Sequence, residues 1–170
     1  MVVHSLSKRS GAPGLRSGFI AGDGELIARQ MQLVNYGGVA VPLPILAASA
    51  ALWRDERHVE ANRARYDAIF AAAGRALGGR FGYMPPPGAF FAWLEVGDDE
   101  AAAKELWAKA GIKVLPGRYM GREGSDGRNP GAGFVRVALV HEPAVVADAM
   151  TRLADVLDGN ARQHLAGDAA

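Results

Sequence analysis

The Gly78–Gly79 pair constrains this chain more than any other feature, because it closes one long helical pattern and separates two regions of different periodicity. From about Asp55 to Leu77, the residues Val59, Tyr66, Phe70, Ala73 and Leu77 share one helical face, while Arg57, Arg63 and Arg65 lie mostly off it. Two successive glycines withdraw helix preference at that point. The reading therefore places a domain boundary there, with a first region over 1–78, a second over 79–158 and a tail over 159–170.

The first region opens on a β-prone run, Val2 to Leu6, followed by a loop at Ser10-Gly11-Ala12-Pro13-Gly14. Gly18 to Gly22 reads as a short buried strand, Glu25 to Asn35 as a helix, and Pro44 to Trp53 as a short alanine-rich helix. In the second region, Phe81–Met84 and Phe90–Val96 read as strands parted by Pro85-Pro86-Pro87-Gly88. Asp98 to Ala110 is a helix and Ile112 to Leu115 a short strand. Gly121 to Gly133 is a polar loop and Phe134 to Val140 a strong strand. Pro143 opens a last helix striped by Val146, Leu153 and Leu157, and a frayed tail is expected from Asp158. The order β, β, α, β, β, α predicts a compact α/β lobe with helices on a small sheet.

Composition removes several classes of function. The net charge is +1 with acids and bases mixed, which argues against a nucleic-acid binder held by a basic face. Cysteine is absent, so disulfides, thiolate metal sites and cysteine nucleophiles are excluded, and a reducing cytoplasm is compatible. His4, His58, His141 and His164 are scattered, so no metal site is expected. No Gly-x-Ser-x-Gly elbow and no phosphate-binding P-loop are present. The uncharged stretch from Gln30 to Trp53 is interrupted by Gly37, Gly38, Pro42 and Pro44, so it does not read as a membrane span. Trp53, Trp93 and Trp107 fall on apolar faces and read as core. The first thirteen residues lack the apolar run of a signal peptide.

The informative segment runs from Ser5 through Lys8 to Arg16, Ser-Leu-Ser-Lys-Arg-Ser-Gly-Ala-Pro-Gly-Leu-Arg. A lysine amine is the nucleophile that forms a Schiff base with an aldehyde cofactor. A phosphate needs hydroxyls, cations and backbone amides close by, which Ser5, Arg16 and the glycine-rich loop supply. On spacing alone, a solvated basic loop after an edge strand remains the more economical reading. Arg136 poses a second choice, lying within the apolar run Phe134-Val135-Arg136-Val137-Ala138-Leu139. Buried, it needs an anion such as a bidentate carboxylate. On the strand's solvent face, it needs only a surface acid. The residues leave both readings open.

The lysine segment, continued by Ser17-Gly18-Phe19, resembles that of the class I and II aminotransferases, which depend on pyridoxal 5'-phosphate (PLP). The resemblance implies the α/β fold of the fold type I PLP-transferases, represented by its C-terminal portion. That portion comprises a remnant of the large domain, ending in a long interdomain helix, and the small C-terminal α/β domain. It implies Lys8 as the catalytic lysine that holds the cofactor, Ser5 and Arg16 as ligands of its phosphate, and Arg136 as the arginine for the substrate carboxylate. Ser17 departs from the small apolar residue usual at that position. Leu115-Pro116-Gly117-Arg118-Tyr119, with Arg122-Glu123 and Asn129-Pro130-Gly131, resembles the N-succinyldiaminopimelate aminotransferase branch, which serves lysine biosynthesis. The resemblance further implies amino-acid and 2-oxo-acid substrates, a cytoplasmic homodimer in full-length form, and neither nucleic-acid nor membrane partners.

In that family, the groups around the cofactor ring precede the lysine, and only seven residues do so here. The isolated chain is therefore expected to be inactive alone, as a truncation or one part of a split enzyme. Two alternatives remain: a non-catalytic α/β interaction module, and another PLP enzyme of the same fold that acts as a lyase or decarboxylase.

Overall fold

A computed structural model describes residues 1–38 and 40–167, with the side chains of 160–167 left out. The chain divides into two compact units, Met1–Ala64 and the portion from Arg65 onward. The division falls inside the long helix and not at the Gly78–Gly79 pair that ends it. The architecture is mixed α/β, in agreement with the fold class read from the sequence.

In the first unit, strand β1 (Val2–Ser5) pairs antiparallel with β2 (Gly18–Ala21), in a register that sets Val2 opposite Ala21 and Ser5 opposite Gly18. Between them lie a single turn of helix, α1 (Leu6–Arg9), and a 3-10 turn over Pro13–Leu15. The expected strand to Leu6 thus ends one residue early. Ser5 is extended and its hydroxyl accepts the Ser7 N–H, which starts α1 and puts Lys8 on a helical turn, not in an open loop. Helix α2 (Gly24–Gly37) starts at Asp23, whose carboxylate accepts the N–H groups of Glu25 and Leu26. Helices α3 (Leu43–Arg54) and α4 (Arg57–Leu77) follow. Every residue of β1 and β2 is exposed and none of α2 is buried, so the strand expected to be buried at Gly18–Gly22 is open to solvent here.

The second unit holds a three-stranded antiparallel sheet in the order β3 (Phe91–Glu95), β5 (Phe134–Ala138), β4 (Leu115–Pro116). Helices α5 (Asp99–Ala110) and α6 (Pro143–Gly167) supply the rest of its regular structure beside the end of α4. Alternation along β5 buries Val135 and Val137, which join Leu94, Leu106, Ile69, Leu77, Met150 and Leu153 in one core.

Several expectations are corrected. Phe81–Met84 is not a strand: Arg80–Gly82 forms a 3-10 turn with Phe81 at φ 57°, and prolines 85–87 then lack the N–H groups that pairing needs. The Tyr83 hydroxyl instead donates to the Phe70 carbonyl at 3.0 Å, tying this stretch to α4. The strand expected at Ile112–Leu115 is the two-residue β4, displaced toward Pro116. Helix α6 continues to Gly167 where a frayed tail was expected, and residues 168–170 of that tail lie outside the described residues. Trp93 and Trp107 are 43% and 60% exposed, not core, because their neighbours on the strand and the helix take the buried positions.

The loop after β4 is held by a buried acid. Asp99, with no exposed surface, accepts the Arg118 N–H at 2.9 Å and the Arg118 Nε–H at 2.7 Å. Asn129 donates to the Arg118 carbonyl at 2.9 Å and accepts the Gly131 N–H at 2.9 Å. Gly117 is required by close approach: a Cβ there would stand 2.7 Å from the Phe134 carbonyl and closer still to that of Gly131. The motif residues at Gly117, Arg118, Asn129 and Gly131 therefore build the loop's frame.

Burial by itself would raise the pKa of Asp99, but the hydrogen bonds from Arg118 outweigh it and hold the carboxyl below its ordinary 3.8. A depressed folded-state pKa contributes stability above the unfolded value, and that contribution is lost as pH falls through the folded value. Urea denaturation should therefore show a wild-type midpoint that falls more steeply below about pH 4 than that of Asp99→Asn. Parallel profiles of the two proteins would contradict the assignment.

Candidate cofactor site

Ser5, Ser7, Arg16, Ser17 and Gly18 line one cleft of the first unit, about 420 Å³ in volume, with Val3, Phe19 and Met31 among its apolar walls. The Ser5 hydroxyl donates to that of Ser7 at 3.0 Å, so two hydroxyls line the cleft where α1 begins. Arg16 sits in the left-handed region at φ 49°, just past the Pro13–Leu15 turn, and its side chain donates one N–H to the Pro13 carbonyl at 3.0 Å. The planar fork has five N–H donors. No carboxylate among the described residues pairs with it in an ion pair. Two hydroxyls and a guanidinium lining one cleft match the donor set of a phosphate, and they fit the phosphate end of PLP. Lys8 lies one residue past Ser7 and is exposed.

Ser17 accounts for its own departure from the apolar residue expected there. It is buried, its carbonyl accepts the Leu6 N–H at 3.2 Å, and its hydroxyl lies 2.8 Å from that of Ser49, which is also buried. Ser49 Oγ is also 2.6 Å from the Ile45 carbonyl, so the pair is satisfied and ties Arg16's neighbour to α3.

The side chains of Arg9 and Ser10, which follow Lys8, were assigned no role from the sequence. The Arg9 side chain is only 10% exposed and meets the Leu52 carbonyl at 2.9 Å, the Glu56 carboxylate, and the face of the Trp53 ring at 4.8 Å. Ser10 Oγ lies 2.9 Å from Nε2 of His58, whose Nδ1 lies 3.1 Å from Asp55 Oδ2. The hydrogen bond to His58 holds the Asp55 carboxyl below the usual carboxylate range. His58, read from the sequence as an isolated histidine, is thus joined to the lysine segment. The only signal available was the density of polar residues at Asp55-Glu56-Arg57-His58.

Arg136 belongs to the second unit. It sits in β5 opposite Trp93 of β3 and Leu115 of β4, on the face away from the core, with its guanidinium 4.2 Å over the Phe91 ring. The face is the one that a solvent-directed arginine would take. The surface acid which that reading also required is absent, since no ion pair to Arg136 occurs among the described residues. The carboxylate reading thus keeps an available cation, half-buried on an aromatic face. Among the described residues, no group of three His, Cys, Asp or Glu is placed to hold a metal ion, and no helix is long and apolar enough to cross a membrane.

With this geometry in hand, comparison with known proteins identifies the class. Residues 1–153 match the family of class I and II aminotransferases, and the chain belongs to that family. It is 36% identical over 154 residues to 4-dedimethylamino-4-oxo-anhydrotetracycline transaminase OxyQ of Streptomyces rimosus, covering 90% of this chain and 41% of that protein. It is 35% identical to a probable aminotransferase of Mycobacterium tuberculosis, covering 90% of this chain and 35% of that one. Among solved structures, an aminotransferase from Neisseria meningitidis superposes with a TM-score of 0.85 at 44% identity, covering 90% of this chain and 39% of that one. The chain therefore spans 35% to 41% of the length of these proteins.

Proposed function

We propose that this chain is the C-terminal part of a PLP-dependent aminotransferase, with Lys8 as the catalytic lysine. Ser5 and Arg16 hold the cofactor phosphate, and Arg136 receives the substrate carboxylate. The observation that carries the reading is that Ser5, Ser7 and Arg16 line one cleft, with Ser5 capping and Ser7 within the helical turn that continues into Lys8. When bound, the cofactor supplies an electron sink that stabilises negative charge at the substrate's Cα. Lys8 Nζ then serves as the base that removes the Cα proton and the acid that returns it. Ser5 and Arg16 fix one end of the cofactor by charge-assisted hydrogen bonds, which sets its distance from Nζ.

The substrate reading is succinyldiaminopimelate transamination in lysine biosynthesis, by a cytoplasmic homodimer in complete form. It is supported by the likeness of the Leu115–Tyr119 and Asn129–Gly131 segments to that branch. The first unit is also that of a partial domain, since Met1, Val2, Val3, Leu33, Tyr36 and Leu43 all stand more than half exposed. Such a display of large apolar side chains marks a surface that another part of a domain covers.

The test is to mix the purified chain with PLP, reduce with borohydride and map the modified peptide. Labelling concentrated at Lys8 supports the reading, and labelling spread over all lysines or absent contradicts it. With glutamate as amino donor, the isolated chain should show no turnover, because it spans only about 40% of the length of aminotransferases it matches. Measurable turnover would overturn that part of the proposal.

A further inference from the structure

We infer that His58, oriented by Asp55, is a positioning residue that latches the turn carrying Lys8 through the Ser10 hydroxyl. The inference rests on the reading of Lys8 as the cofactor lysine.

Helix α1 has 4 residues, and a single helical turn does not persist without outside support. Its start is secured by Ser5, by the Leu6 N–H bond to Ser17, and by the complete burial of Leu6. Past Lys8, the backbone contributes the Ser10 and Ala12 N–H groups, which converge on the Leu6 carbonyl at 3.1 and 3.3 Å. The remaining support comes from side chains. Arg9 and Ser10 both reach the segment from Leu52 to His58, with the His58 contact spanning 48 residues of sequence.

With Nδ1–H directed at Asp55, the neutral His58 ring leaves Nε2 to accept the Ser10 O–H. The order Ser, His, Asp is that of a nucleophilic triad. However, the Ser10 and Ala12 N–H groups are both committed to Leu6, so they offer no donor pair for an oxyanion. The network holds the turn and does no chemistry itself. What it controls is direction. The lysine stem is flexible, and where Nζ can reach follows from the orientation of the Lys8 Cα–Cβ bond, hence from the pitch of this turn.

The experiment compares wild type, His58→Ala, Ser10→Ala and His58→Gln for two readouts. One is the rate of borohydride-trapped PLP at Lys8, with inorganic phosphate as a competing inhibitor. The other is amide hydrogen exchange at Ser10 and Ala12. His58→Ala and Ser10→Ala should slow Lys8 capture about tenfold and speed both amides by a similar factor, since both lose the Ser10–His58 hydrogen bond. The inhibition constant of phosphate should stay unchanged, because Ser5 and Arg16 are untouched. His58→Gln, which keeps a donor and an acceptor near Nε2, should recover most of the capture rate. Should His58→Ala fail to fold, Ser10→Ala removes only one hydroxyl and carries the test. If wild type shows no preference for Lys8, the functional reading fails, and the exchange data still judge the latch. Unchanged exchange in Ser10→Ala overturns it, as does a weakened phosphate constant equal to the loss in capture.

Discussion

Replacing Lys8 by alanine is expected to abolish borohydride-stable capture of PLP by this chain. The other lysines are Lys104, Lys109 and Lys113, all in the second unit. Lys109 is paired with Glu105 at 2.9 Å, and Lys113 lies 5.9 Å from the Trp107 ring centre. None lines the Ser5–Arg16 cleft or adjoins one of its lining residues in sequence, as Lys8 adjoins Ser7, so the effective concentration that favours Lys8 is lost with it. The companion variant separates chemistry from binding. Arg16→Ala keeps the nucleophile and removes the fork, deleting charged hydrogen bonds that contribute about 1.5–3 kcal/mol. Half-saturation should then need about 10- to 100-fold more PLP while labelling at saturation still maps to Lys8. Retained labelling in Lys8→Ala, or an Arg16→Ala curve that overlays wild type, would remove this cleft as the cofactor site.

Leu153→Ala should strongly destabilise the second unit. Leu153 has no exposed surface and sits on α6 within the core that includes Leu94, Leu106 and Val135. Deleting its isobutyl group forfeits the transfer term and leaves a cavity, together about 3 kcal/mol. A domain of this size is stable by about 5–15 kcal/mol, so the thermal midpoint should fall by roughly 10–20 °C. Trp107→Ala is the control: a larger side chain, but 60% exposed, whose loss should shift the midpoint by only a few degrees, about what surface substitutions do. If the two variants moved the midpoint equally, the assignment of α6 to the core and of Trp107 to the surface would be wrong.

The sequence alone determined the parts of this protein governed by local rules. Helix α4 followed from a one-sided apolar stripe ended by two glycines, and β5 from a run of β-formers. The lysine segment was legible through its resemblance to the class I and II aminotransferases, since its spacing alone favoured a solvated basic loop. Three features were decided only by tertiary structure. Phe81–Met84 carries strand-like residues, yet the Tyr83 hydroxyl bond to Phe70 and the positive φ at Phe81 turn it away from the sheet. The side of the sheet on which Arg136 lies was not legible until the register placed it on the face away from the core, over Phe91, with no ion pair among the described residues. Ser17–Ser49 and Ser10–His58 join residues 32 and 48 positions apart. Local periodicity reports what each segment prefers, whereas a hydrogen bond across such separations exists only once packing has brought its two ends together.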